Sequence, residues 1–274
     1  MRFFQEIGVC MLLATSAAHA QIGAAPSSAA FKIPEFQAQY ALYQNGELLG
    51  TSEITLSKTG AGYQFSTKSQ SEGGMASIIG GASISESSQF KPDALHLQSL
   101  SYQYEQRISF KKRKREIEFD WHKSLAREDD GKDVTSYLLS PGAIDRHLVV
   151  LALAQDLSRS AAPITNSAVP ATNGKIPFAL PAVRNFSHLV AYKGTVEPWQ
   201  FRSTGIERVT TDMGVIQAEK IERVRAGSSR STTSWHAAGY NHLPIRILQR
   251  EPDGKTLEMR LKSISMAPVA VTKR

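Results

Sequence analysis

Cysteine is almost absent: the 274 residues contain one, Cys10, and it lies in the apolar opening stretch. Once that stretch is removed, disulfides, Cys-ligated metal centres and cysteine nucleophiles are all excluded. No later segment approaches the roughly 20 consecutive apolar residues of a membrane-spanning helix. There is no His-Glu-x-x-His pair and no Gly-x-Ser-x-Gly elbow. Gly73-Gly74 and Gly80-Gly81 lack the lysine and helix context of a phosphate loop. EDDGKD, residues 128–133, lacks the calcium-loop spacing with its terminal Glu and reads as a solvated turn. His236 and His242 flank the turn AAGYN and read as ordinary strand or turn positions rather than metal ligands. A Ser/His/Asp triad is assembled only by a fold, and nothing in the sequence picks one out. No cofactor, metal or catalytic residue is therefore assigned.

The first twenty residues, MRFFQEIGVCMLLATSAAHA, have the three parts of a secretory signal: an early Arg2, an apolar run, and Ala18-His19-Ala20. Cleavage is expected after Ala20, with a loose linker over 21–33 and a periplasmic location. Cys10 follows Val9 in mid-stretch, where a lipid-anchor cysteine does not stand. The net charge of +7 then points away from nucleic acid and toward envelope polyanions, such as lipid headgroups and glycans.

The rest reads mainly as β. FQAQYALY and ELLGTSEITLS flank Asn45-Gly46, the strongest short hairpin signal. Further runs of period two follow, divided by Gly60/Gly62, Pro92-Asp93, Asp212-Met213-Gly214 and Pro252-Asp253-Gly254. One helix interrupts them at about 141–159, with Ser140 and Pro141 at its start and Ile144, Leu148, Leu151 and Leu157 at helical spacing. A small, polar, proline-bearing loop follows at 161–175. The expectation is a single domain over 34–264, with β halves 34–139 and 176–264 and a tail at 265–274. Its form is an antiparallel meander making a closed or half-open barrel, with the helix across the mouth.

Two stretches are candidate contact sites. Lys111, Lys112, Arg113, Lys114 and Arg115 form an unbroken cationic run. Tyr102, Tyr104, Ile108 and Phe110 share one phase before it, and Ile117, Phe119 and Trp121 share the opposite phase after it. A turn or bulge is expected within the run, placing it at an exposed tip able to contact an anionic surface. Met75, Ile78, Ile79 and Ile84, set among glycines, are the candidate wall of an apolar cavity, with Trp121 and Trp235 as ring contacts. Each also has a plain structural reading: a solvated hairpin, a kinked core strand and core tryptophans.

Residues 36–264 resemble the DUF3108 family of secreted bacterial proteins. The likeness rests on GIERVTTDMGVIQAEKIERV, Trp235, LPIRI, TLEMRLKSI, Tyr40 with Gly50, FDW at 119–121, and DRHL at 145–148. These are packing and turn signatures, so the resemblance implies a periplasmic β-barrel-like module and no particular activity. The expected function is a non-enzymatic binding or envelope-assembly module with an apolar or lipid-like ligand in the barrel. The alternatives are a packed interaction module for an envelope protein and, third, a hydrolase of envelope glycan or lipid. Peripheral membrane contact fits the first.

Overall fold

The computed structural model describes residues 31–72, 81–93, 96–160 and 183–267. Fifteen strands make one sheet. They are β1 (Phe36–Gln44), β2 (Glu47–Thr59), β3 (Gly62–Ser71), β4 (Ala82–Pro92), β5 (Leu97–Ile108), β6 (Lys111–Asp120), β7 (Leu125–Asp129) and β8 (Val134–Leu138). Then come β9 (Ile144–Asp145), helix α1 (Val149–Ser160), β10 (Asn185–Tyr192), β11 (Thr195–Thr211) and β12 (Gly214–Val224). Last are β13 (Ser231–Ala237), β14 (Leu243–Arg250) and β15 (Thr256–Met266). Chain neighbours pair antiparallel, giving the order β8-β7-β6-β5-β4-β3-β2-β1-β15-β14-β13-β12-β11-β10-β9. The first and last strands meet mid-sheet, with Phe36 opposite Met266 and Gln44 opposite Leu257. The edges are β8 and the two-residue β9, which runs parallel to β10. The sheet is thus a mainly antiparallel, half-open barrel.

Turn chemistry explains much of this. Asn45 and Gly46 both take positive φ, 53° and 86°, as a type I′ turn requires. At Gly50 a Cβ would stand 2.0 Å from the Gln70 carbonyl oxygen, so only glycine lets β2 approach β3 there. The cationic run behaves differently from expectation. The turn falls at Ser109-Phe110, just before it, and Lys111–Arg115 are the first half of β6, from Lys111 opposite Ile108 to Arg115 opposite Tyr104. A two-residue turn alone shifts the core phase from even to odd residues, so no bulge within the run is needed. Lys111 to Lys114 are exposed. Arg115 is not part of that wet face: it turns inward onto Glu128 and lies 5.0 Å from the Tyr192 ring centroid.

The helix starts at Val149, not near 141. Residues 144–145 are pulled into the sheet as β9, and the Asp145 carboxylate accepts the backbone N–H groups of His147 (3.0 Å) and Leu148 (3.1 Å) as the cap. Val149, Leu151, Ala152, Leu153, Ala154 and Leu157 are all buried, so apolar residues cover more than one face of the helix. A helix of that kind belongs inside a core. It shares one core with Phe36, Tyr40, Leu56, Phe65, Phe90 and Leu97 from β1–β5, and packs most closely against β10 and β14.

A second core joins the open edges. Tyr102, Ile117, Phe119 and Ala126 from β5–β7 pack with Ala191 of β10, flanked by Tyr137, Leu189 and Val196. Glu128 on β7 locks this seam. It is 3% exposed and accepts the N–H groups of Lys193 (3.0 Å) and Gly194 (2.9 Å), at the β10–β11 turn, and the Tyr137 hydroxyl (2.9 Å). Glu128 therefore leaves the expected solvated turn; Gly131 to Asp133 remain exposed in it.

Candidate functional site

Between α1 and the inner face of β10–β14 lies a cavity of about 650 Å³. Period two builds its walls: Thr195, Glu197, Trp199 and Phe201 alternate along β11, and Thr232, Ser234 and His236 along β13. Val149, Val150 and Leu153 of the helix, with Val190, Pro244 and Ile247, supply an apolar floor. Charged residues stand at both ends: Glu86 and Arg146 at one, with Lys193 beside the Tyr192 ring that Arg146 also faces, and Arg223, Arg225 and Arg230 at the other.

The Arg146 end is saturated. Its Nε donates to Glu86 (2.9 Å) and to the Tyr102 hydroxyl oxygen (2.8 Å), and its Nη1 reaches the Tyr192 hydroxyl at 3.2 Å. The guanidinium also lies 5.0 Å from the ring centroids of both Tyr104 and Tyr192. The Tyr102 hydroxyl donates to Glu86 at 2.6 Å. Every group in this knot has a partner inside the protein.

Behind it lies a buried hydroxyl–imidazole–carboxylate network. Ser88 and Ser99 each donate to Asp145 at 2.8 Å. His147 Nδ1 lies 3.1 Å from Ser88 Oγ, and His147 Nε2 lies 2.8 Å from Thr67 Oγ1. Burial lowers the His147 pKa to about 4, so the ring is neutral at neutral pH. Burial also pushes Asp145 up to about 6, against four hydrogen bonds that favour its charged form. With the Ser88 O–H directed at Asp145, the consistent tautomer has His147 Nδ1–H donating to Ser88 and Nε2 accepting from Thr67. A nucleophilic serine needs the reverse, its own proton directed at the histidine. Ser88 is also fully buried and does not line the cavity. The network anchors the helix start.

The other end is unsaturated. Arg223 of β12 stacks over Trp199, 3.3 Å from the ring centroid. Its buried Nε has no hydrogen-bond partner among the described residues. Burial, with Arg225 beside it, lowers the Arg223 pKa to about 10, which still leaves the group charged at neutral pH. Among the described residues Arg225 has only Thr232 Oγ1 at 3.1 Å and the Arg230 carbonyl at 3.5 Å, whereas Arg230 is paired with Glu251 at 2.7 Å. Glu197 is the acidic side chain on the wall at this end. Positive charge is in excess there.

The expected ring and apolar contacts are elsewhere. Trp121 stacks on Phe119 and donates to the Ser99 carbonyl (2.7 Å); Trp235 is buried, donates to Glu207 (2.7 Å) and carries Arg246 over its ring. Ile84 is half-buried in β4. None of the three lines the cavity. Met75, Ile78 and Ile79 lie outside the described residues. Lys111–Lys114 are on the outer hairpin. His236 Nδ1 bonds the His242 carbonyl at 2.7 Å, and among the described residues no group of three acidic, His or Cys side chains is placed to hold a metal. The overlooked signal was RVRAGSSR, residues 223–230: Arg223 on the strand and Arg225 just past its end stand at i and i+2, the spacing that keeps one face, and the hairpin returns Arg230 beside them.

Among the described residues no helix is long and apolar enough to cross a membrane. A family model described as "Protein of unknown function (DUF3108)" matches residues 39–262. No curated protein matches the chain. A "putative lipoprotein from Parabacteroides distasonis ATCC 8503" aligns over 85% of this chain and 95% of its own, at 8% identity and a TM-score of 0.28.

Proposed function

The chain belongs to the DUF3108 family, whose function is unknown, and we propose that it is a non-enzymatic binding protein of the periplasm that holds an anionic amphiphile in this cavity. One observation carries the reading: Arg223, charged and without an ion-pair or hydrogen-bond partner among the described residues, faces a cavity with an apolar floor. A half-buried guanidinium whose Nε lacks a partner forgoes hydrogen bonding that water would supply, and an acidic head group from a ligand would restore it. The volume suits a small amphiphile, since ligand sites typically span about 300–1,000 Å³. Val149, Val150, Leu153 and Phe201 would receive the hydrocarbon body; Arg223 and Arg225 would receive the head. Export through the signal expected over residues 1–20 would put the protein among envelope lipids and their degradation products, a source of such a ligand.

The test is native mass spectrometry of protein purified from periplasm, with extraction of whatever co-purifies. A defined adduct of lipid size, released on denaturation and absent from Arg223→Met, supports the reading. A clean apo mass across independent preparations would sink it and favour the packed interaction module.

A further inference from the structure

The tip of the β5–β6 hairpin combines features that the fold itself does not use. Phe110 is 104% exposed, and Ile108, the last residue of β5, is 42% exposed. A phenylalanine at a two-residue turn contributes no packing; Ser109 takes the positive φ that the turn requires. Cations surround it on both faces of the ribbon: Lys112 and Lys114 on one, Lys111 and Arg113 on the other. Glu105 pairs with Arg107 (2.7 Å) and Lys112 (2.9 Å), and Glu116 lies 3.8 Å from Lys114. Lys111 and Arg113 have no carboxylate partner among the described residues.

We propose that this tip docks the protein on an anionic phospholipid surface, with Phe110 entering the headgroup layer and the lysines and Arg113 lying over lipid phosphates. An exposed aromatic ringed by cations matches the interface chemically: the ring enters the acyl boundary while the ammonium groups stay at headgroup level. A soluble polyanion would recruit the charges but leave Phe110 without a role. The meander fixes the orientation. Antiparallel pairing puts the turns at 45–46, 109–110, 193–194, 225–230 and 251–255 at one end of the sheet. Lys193, Arg225 and Arg230 of the cavity lie at that same end. Docking stands on the tip alone. That docking brings the cavity to its source of amphiphile rests on the function proposed above.

The experiment is cosedimentation of the purified protein with vesicles of phosphatidylethanolamine and phosphatidylglycerol, against vesicles of phosphatidylcholine alone. Binding is expected to the first only, and to weaken with salt. Each cation near an anionic leaflet is equivalent to about 1 kcal/mol, or about fivefold in affinity, so Lys111→Glu with Arg113→Glu should lose at least tenfold. Phe110→Ser should keep the salt dependence but bind several-fold more weakly. A polarity-sensitive dye on Phe110→Cys, the single thiol of the chain from residue 21 onward, should shift to the blue on anionic vesicles. No vesicle binding, or binding unaltered in both tip variants, overturns the proposal. So does an unshifted dye with equal binding to soluble polyphosphate, which would make the tip a polyanion contact. Arg223→Met serves as control: it should lose the co-purifying ligand yet bind vesicles normally, whereas the tip variants should keep the ligand, so failure of either idea leaves the other legible.

Discussion

Arg146 and Arg223 face the same cavity from opposite ends, and their surroundings differ completely. Arg146 has a carboxylate, two tyrosine hydroxyls and aromatic faces around it. Arg223 has the face of Trp199 and an orphaned Nε. Both have left bulk water for a partly buried site, and only one is compensated within the chain. The contrast separates a guanidinium that holds the fold together from one that awaits something from outside.

The sharpest way to break that contrast is to remove each guanidinium in turn. Arg146→Met strands the Glu86 carboxylate in a buried knot, a loss of about 3–5 kcal/mol, measured by urea unfolding. Equal destabilisation by Arg223→Met would erase the distinction.

Acidification probes the two ends next. Burial holds His147, near the saturated end, and His236, on the cavity wall, at about 4. Because both are lowered from 6.5, the stability they contribute is present above that pH and lost as pH falls toward 4. Asp145 acts oppositely: its pKa is raised to about 6, so its burdened charge is relieved as pH falls from there toward 3.8. Two histidines against one carboxylate, at about 1.4 kcal/mol per pH unit, leave a net loss of about 3–4 kcal/mol between pH 7 and pH 4. Thermal melts across that range measure it; flat or rising stability would contradict the assignment of two neutral buried histidines.

Smaller effects sharpen the same comparison. Arg223→Met should change unfolding free energy by less than about 1 kcal/mol, in either direction, because the change removes a charge that lacks a partner. Smallest of all, Lys111→Glu with Arg113→Glu should leave stability within about 0.5 kcal/mol, as expected of exposed charges; a large drop in melting temperature would make the run structural.

The saturated end was partly written in the sequence: Asp145-Arg146-His147-Leu148 is one of the segments that resemble the family, although helical spacing puts its polar residues inside the helix and not before it. What they touch was not legible: Thr67, Ser88, Ser99 and Glu86 come from strands 46 to 80 residues away in the chain. The meander was legible because period two and turn residues are local. The helix start was misplaced because Pro141 and Ile144 satisfy helical spacing, while tertiary pairing with Val190 takes Ile144 into the sheet. A contiguous cationic run drew notice that Arg223 and Arg225, alternating at the end of β12, did not, although alternation is how a strand gathers charge on one face.

The meeting of β1 and β15 has a consequence for how the molecule is made. β1 can pair on one side with the neighbouring β2 as soon as the chain begins to fold, but its second partner is the final strand of the sheet. Until β15 arrives, a nine-residue β1 containing Phe36, Ala38 and Tyr40 is an open template for any passing strand. The last partner to reach the sheet therefore joins its first strand, and protection against wrong pairing would be needed longest there.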